Sequence, residues 1–155
     1  MIRTESEYRR ALERLAEGAK YLELQREQFK TLGLKGEDLE RVMGPTLSFH
    51  EQLKEEIDLY EKMKRGDLGT LNNLSHIGTW LIGLRLAKGW TQKDLAEALG
   101  VSEAQVSRDE TNDYHGITVA RVQRILEVMG LQFRLELGPS LQGFQPTKTS
   151  RGPGR

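Results

Sequence analysis

From Tyr8 to Phe29 the apolar residues Tyr8, Leu12, Leu15, Ala19, Leu22 and Phe29 recur at intervals of four, three and seven. That spacing lines one side of an α-helix with the rhythm of a helix packed along a partner. Arg26 interrupts the seam, and Thr4 with Glu7 supplies a capping box for a helix over 4–30. Gly33 and Gly36 bracket a turn. Leu39, Val42 and Met43 predict a short helix over 37–43, broken by Gly44-Pro45. A further long helix is expected from Thr46 to Lys64, with Leu53, Ile57 and Tyr60 on one face and Lys64-Arg65-Gly66 as its stop. The elements predict an antiparallel helical hairpin over 1–65. Its seam either supports the rest of the chain or pairs with another chain, because one hairpin alone buries little.

Residues 66–76 are turn-rich and read as a linker. Ser75 can cap a helix around 76–88 that carries Leu81 and Leu84 and stops at Gly89. Thr91, with Asp94 three residues on, caps a helix whose Leu95, Ala96 and Leu99 share a face. Gly100 falls where a helix ends and the backbone needs positive φ. Ser102 caps the next helix with Gln105 as its capping-box partner, and Ala98 and Val106 lie on the inward side of the bend. Helix, glycine turn, capped helix is the helix-turn-helix device, whose second helix enters a DNA major groove.

After Thr118, the residues Val119, Val122, Ile125 and Met129 return to helical spacing, and Gly130 ends the helix. Leu131, Phe133, Leu135 and Leu137 then alternate with Gln132, Arg134 and Glu136, which predicts a strand over 132–137. No second strand pattern is evident, so this strand would pair with its own copy in a symmetric dimer. Residues 138–155, rich in Gly, Pro, Ser, Thr and Gln, read as a flexible tail.

Composition narrows the classes. At 155 residues the chain is one domain or two small ones. It has no cysteine, so disulfides and thiolate metal sites are excluded. No apolar run approaches the roughly 20 residues of a membrane span, and a charged helix follows Met1-Ile2-Arg3-Thr4, so no signal peptide is visible and a cytoplasmic location is expected. Net charge is zero, distributed as −2 over 1–75, −1 over 76–137 and +3 over 138–155. DNA binding would therefore rest on local placement of charge rather than on a basic domain. His50, His76 and His115 lack zinc-type spacing, Gly66-Asp67-Leu68-Gly69 is no phosphate loop, and no Ser/His/Asp arrangement is recognisable. No enzymatic activity, cofactor or metal is expected.

The residues Leu84-Arg85, Gly89-Trp90-Thr91-Gln92, Leu95-Ala96, Leu99-Gly100-Val101-Ser102, Val106-Ser107-Arg108 and Glu110 form a spaced pattern. With Thr118-Val119, Val122, Ile125 and Met129-Gly130-Leu131, it resembles the lambda-repressor/Cro-like (XRE) helix-turn-helix family. The resemblance implies an all-α chain with a five-helix DNA-binding domain over 77–131. Tyr8, Ala11 and Leu12, with Tyr60–Gly66, look similar to the N-terminal helices of HigA-like antitoxins.

The XRE resemblance also implies roles for single residues. Gln92 would hydrogen-bond a phosphate, and Glu103, Ala104, Ser107 and Arg108 would reach base edges. An arginine can grip guanine O6 and N7 together, and a glutamate can accept from cytosine N4, although Glu103 could equally just favour the helix dipole. Gln105 has a phosphate, an adenine or a cap as alternative partners, and Lys88 and Lys93 are phosphate candidates. Arg85 and Glu110 are implied to form a structural pair tying the first helix of the domain to the recognition helix. Asp109 stands where the family is usually apolar or aromatic. Burying an unpaired carboxylate is costly, so it is either exposed or partnered by Tyr114, His115 or a loop N–H, with Tyr114 supplying the missing apolar cover.

Two functions compete. One is a sequence-specific transcriptional regulator, binding a palindromic operator as a homodimer and repressing its own operon. The other is an antitoxin that holds a protein toxin as well as operator DNA. A third, an adaptor that has lost DNA binding, is kept open by the zero net charge.

Overall fold

A computed structural model describes residues 1–134. It contains α1 (Glu5–Thr31), α2 (Gly36–Lys64), a 3-10 turn (Leu74–His76), α3 (Ile77–Ala87), α4 (Gln92–Leu99), α5 (Glu103–Thr111) and α6 (Val119–Val128). The described chain is all-helical. Between 77 and 131 it has four α-helices, led in by the 3-10 turn, rather than five.

The first two helices form the expected antiparallel hairpin, and its seam is closed within the chain. Its register differs from the apolar count. The residues turned inward on α1 are Tyr8, Ala11, Leu15, Gly18, Leu22, Gln25 and Phe29, while Leu12 and Ala19 are exposed. Small residues at 11 and 18 let the helices approach closely: a Cβ on Gly18 would stand 3.2 Å from His50 Nδ1. The facing stripe on α2 is Leu39, Met43, Thr46, His50, Leu53, Ile57 and Tyr60. Tyr60 stacks on Tyr8 with centroids 4.8 Å apart.

Gly44-Pro45 does not break the chain here; α2 runs straight through it. A proline inside a helix costs about 3 kcal/mol. Leu39 and Met43, both buried, lie just before it and extend the α2 stripe that faces α1, and burying such side chains returns roughly 1.5–3 kcal/mol each. At the helix start Thr4 caps the Glu7 N–H, but Glu7 reaches back to the Arg3 N–H (2.8 Å) and not to Thr4.

The base of the hairpin shares one core with the helices that follow. Ile2, Ala11, Ile57, Tyr60 and Met63 belong to the same buried cluster as Leu81, Ile82, Leu95, Val106, Ile125 and Met129. Gly78 makes part of this fit obligatory: a Cβ there would fall 1.8 Å from the Asp113 carbonyl oxygen, so the loop after α5 rests directly on the backbone of α3. No described helix is long and apolar enough to cross a membrane.

The expected strand over 132–137, whose partner would be a second copy, is described only in part in this single chain. Residues 131–134 have no regular structure, and Leu131 and Phe133 are exposed. Without a partner strand the backbone there has no ladder to join. Residues 135–137 of that strand and the expected tail, 138–155, lie outside the described residues.

Candidate nucleic-acid interface

The turn between α4 and α5 is built from its caps outward. The Thr91 hydroxyl accepts from the Asp94 N–H (3.1 Å), and the Asp94 carboxylate accepts from the Thr91 N–H (2.7 Å), which completes the capping box. Those same two groups, backbone N–H first and hydroxyl second, hold the Asp94 carboxyl below its ordinary pKa. Gly100 takes a left-handed conformation (φ 70°, ψ 34°), where a Cβ would be strained. Ser102 then caps α5 by accepting from the Gln105 N–H (3.2 Å). The Gln105 side chain does not close a second capping box. Its amide instead donates to Asp109 (2.6 Å), one turn along.

Val106 and Glu110 turn α5 inward; Ala104 and Arg108 are exposed on the opposite face, Ser107 is half-exposed on the flank, and Glu103 is exposed at the first turn. The anchor is ionic. Arg85 of α3 and Glu110 are both essentially sealed from solvent, with side chains 1% and 0% exposed. The Arg85 Nε and one terminal nitrogen donate to the two Glu110 oxygens at 2.5 and 2.7 Å. The guanidinium also donates to the carbonyls of Trp90 (2.7 Å) and Arg3 (2.9 Å). This fork-on-fork geometry fixes rotation about the α5 axis as well as distance.

The predicted contact residues are not all equally free. Gln92 is half-buried and its amide donates to Glu110 (2.9 Å), so it points into the anchor. Lys93 is exposed, 3.9 Å from Glu97. Arg108 lies along α5 and donates to the Gln105 oxygen (3.1 Å). Lys88 faces away from this surface: its ammonium donates to the Met129 carbonyl at the end of α6 (2.8 Å) and sits over the Trp90 ring.

Asp109 is half-buried and partnered, by Gln105 and by Arg121 of α6 (3.6 Å). Tyr114 is buried beside it and provides the apolar cover. Burial, and then the Glu110 charge, push the Tyr114 phenol above its ordinary pKa. Arg108, Gln105, Asp109 and Arg121 thus form a polar chain from the exposed face of α5 to α6.

Two residues in this frame escape a reading of the sequence. Arg121 sits three residues after the Thr118 cap and looks like any surface arginine. Arg3 lies far upstream, yet its guanidinium reaches the Thr111 carbonyl and the Asp113 carboxylate, both at 3.4 Å, while its own carbonyl accepts from Arg85. No local pattern marks it, because both partners are more than 100 residues away.

Residues 82–135 match the family model described as Helix-turn-helix. The match covers about a third of the chain. No curated protein and no solved structure matches the chain. Residues 82–135 are a helix-turn-helix domain of the lambda-repressor/Cro-like type, which is a DNA-binding class of transcription regulators.

Proposed function

We propose that the chain is a sequence-specific repressor that binds a palindromic operator as a homodimer. The observation that carries this reading is the locking of α5. A buried, bidentate ion pair fixes the inner side of the helix, leaving Ala104, Ser107 and Arg108 accessible along it and Glu103 accessible at its first turn. Rigid presentation of a few side chains to base edges is what direct readout requires.

In this reading Arg108 grips a guanine, Glu103 accepts from a cytosine amine, and Ala104 and Ser107 make the close contacts between them. Gln105 braces Arg108 from within the helix, and Lys93 meets a phosphate. Gln92 acts chiefly on the anchor, since one of its amide N–H groups donates to Glu110.

The test is selection of bound sequences from a random DNA pool by the purified full chain. Enrichment of an inverted repeat is expected. Recovery of unenriched sequence, or of a single half-site, would overturn the proposal. Because few Lys and Arg line this face, the salt dependence of binding is expected to be shallow; a slope equivalent to about ten released ions would contradict the site.

A further inference from the structure

The hairpin carries a second surface, remote from α5. Tyr8 stacks on Tyr60 and Gly18 abuts His50, so positions whose numbers add to 68 lie side by side on α1 and α2. On one flank of the seam, Tyr21 and Leu24 of α1 and Val42 and Phe49 of α2 stand 56, 65, 43 and 57% exposed. Heptad position puts all four on the same side as Arg14, whose guanidinium lies 5.6 Å over the Phe49 ring. Between Tyr21 and Phe49 a groove of about 370 Å³ opens, floored by Gly18 and His50.

The placement of these four residues is symmetric. Tyr21 and Leu24 are centred on position 22.5, Val42 and Phe49 on 45.5, and those two midpoints again add to 68. A two-fold axis crossing the hairpin at that level therefore maps the patch onto itself. We propose that this flank docks a second copy of the chain, the two hairpins packing antiparallel, α1 on α1 and α2 on α2, into a four-helix bundle. The proposal rests on the homodimer of the preceding reading and places its interface.

The geometry is specific. Tyr21 of one copy faces Leu24 of the other, and Val42 faces Phe49. Leu24 and Val42 of the second copy come level with the groove beside Phe49. Lys35, on the same flank as Val42 and Phe49, faces Glu56 of the other copy across the same axis.

The area is of the right size. Four large side chains about half exposed contribute on the order of 100 Å² each, or about 800 Å² of apolar surface for the pair. A standard interface buries about 1,600 Å², a little over half of it apolar. The first turns of α1 in the two copies end up roughly 50 Å apart, from about 17 residues on each side of the axis at 1.5 Å per residue. The helix-turn-helix units then lie at opposite ends of the bundle. Half-sites must be separated by more than one DNA turn of about 34–36 Å, so two turns is the expected spacing.

The chain has no cysteine, which makes cross-linking clean. Pro45 lies on the patch less than one residue from the axis, so Pro45→Cys is expected to form an interchain disulfide rapidly under mild oxidation, without DNA. Leu32→Cys, exposed at the hairpin tip, is expected to react only at the slow collisional rate. Sedimentation equilibrium of the full chain without DNA is expected to show a dimer, with the dissociation constant raised at least tenfold in Tyr21→Glu and in Phe49→Glu at unchanged helical content. A monomeric wild type, equal cross-linking at 45 and 32, or a one-turn half-site spacing in selected DNA would overturn the proposal. Failure to enrich any sequence would instead strike the DNA-binding reading, since the first two measurements contain no DNA.

Discussion

Glu110→Gln tests whether α5 is held by charge or only by shape. The substitution keeps the side chain's volume and leaves one acceptor, but removes the negative charge from a site with no exposure. Arg85 keeps its donors to the Trp90 and Arg3 carbonyls and loses its counter-ion. Breaking one partner of a buried pair costs about 3–5 kcal/mol, because the remaining charge cannot be rehydrated in place. For a folded unit of this size about 1 kcal/mol corresponds to roughly 3 °C, so the melting midpoint is expected to fall by about 10–15 °C. Urea melts followed by circular dichroism give the free energy directly. Glu51→Gln, from an exposed pair with Lys54, is the control and is expected to leave the midpoint in place, since such pairs contribute little. A loss below about 1 kcal/mol in Glu110→Gln would show that packing alone positions the recognition helix.

Other expectations follow from single contacts. Gly78→Ala forces a Cβ into the Asp113 carbonyl and is expected to cost about 3 kcal/mol or more by urea melt. Arg108→Ala is expected to weaken operator binding by about 1–3 kcal/mol and relax preference at one base pair, with an unchanged melt; an unaltered preference would remove its base-reading role. Burial and the Glu5 charge raise the Tyr60 phenol to about 12. Its pKa is higher folded than unfolded, so the stabilisation is complete below about pH 10 and is lost as pH rises from about 10 to 12. Phenolate absorbance with parallel urea midpoints checks this, and Tyr60→Phe is expected to flatten that part of the decline.

The helix-turn-helix is legible in the sequence because its determinants are local. Thr91 and Asp94, Gly100, and Ser102 each act within three or four residues, and the apolar stripe of Leu95, Ala96 and Leu99 follows helical period. The hairpin is legible as a hairpin but not in register. Counting apolar side chains at heptad spacing selects Leu12 and Ala19, whereas close packing of the two helices places the small residues Ala11 and Gly18 in the seam. Proline at 45 reads as a break because propensity is a local rule, and the packing of Leu39 and Met43 that offsets it depends on α1. At the site, the turn of Gln92 toward Glu110 and the pairing of Asp109 with Arg121 depend on helices meeting in space. Arg3 had no signal for the same reason.

The reach of Arg3 also sets an order of events. Its contacts with Thr111 and Asp113 close a span of 108 to 110 residues, while α1 with α2 and α4 with α5 join neighbours in the chain. Contacts of long sequence separation pay the largest loop-closure entropy and gain most from being made last. The hairpin and the helix-turn-helix can each assemble early, and the amino-terminal segment then snaps across the finished core like a clasp. Until that clasp shuts, the loop after α5 lacks its outer tether and the Arg85 guanidinium lacks one of its acceptors. Full rigidity of the reading helix is therefore a late property of folding, conferred by a segment more than 100 residues upstream of it.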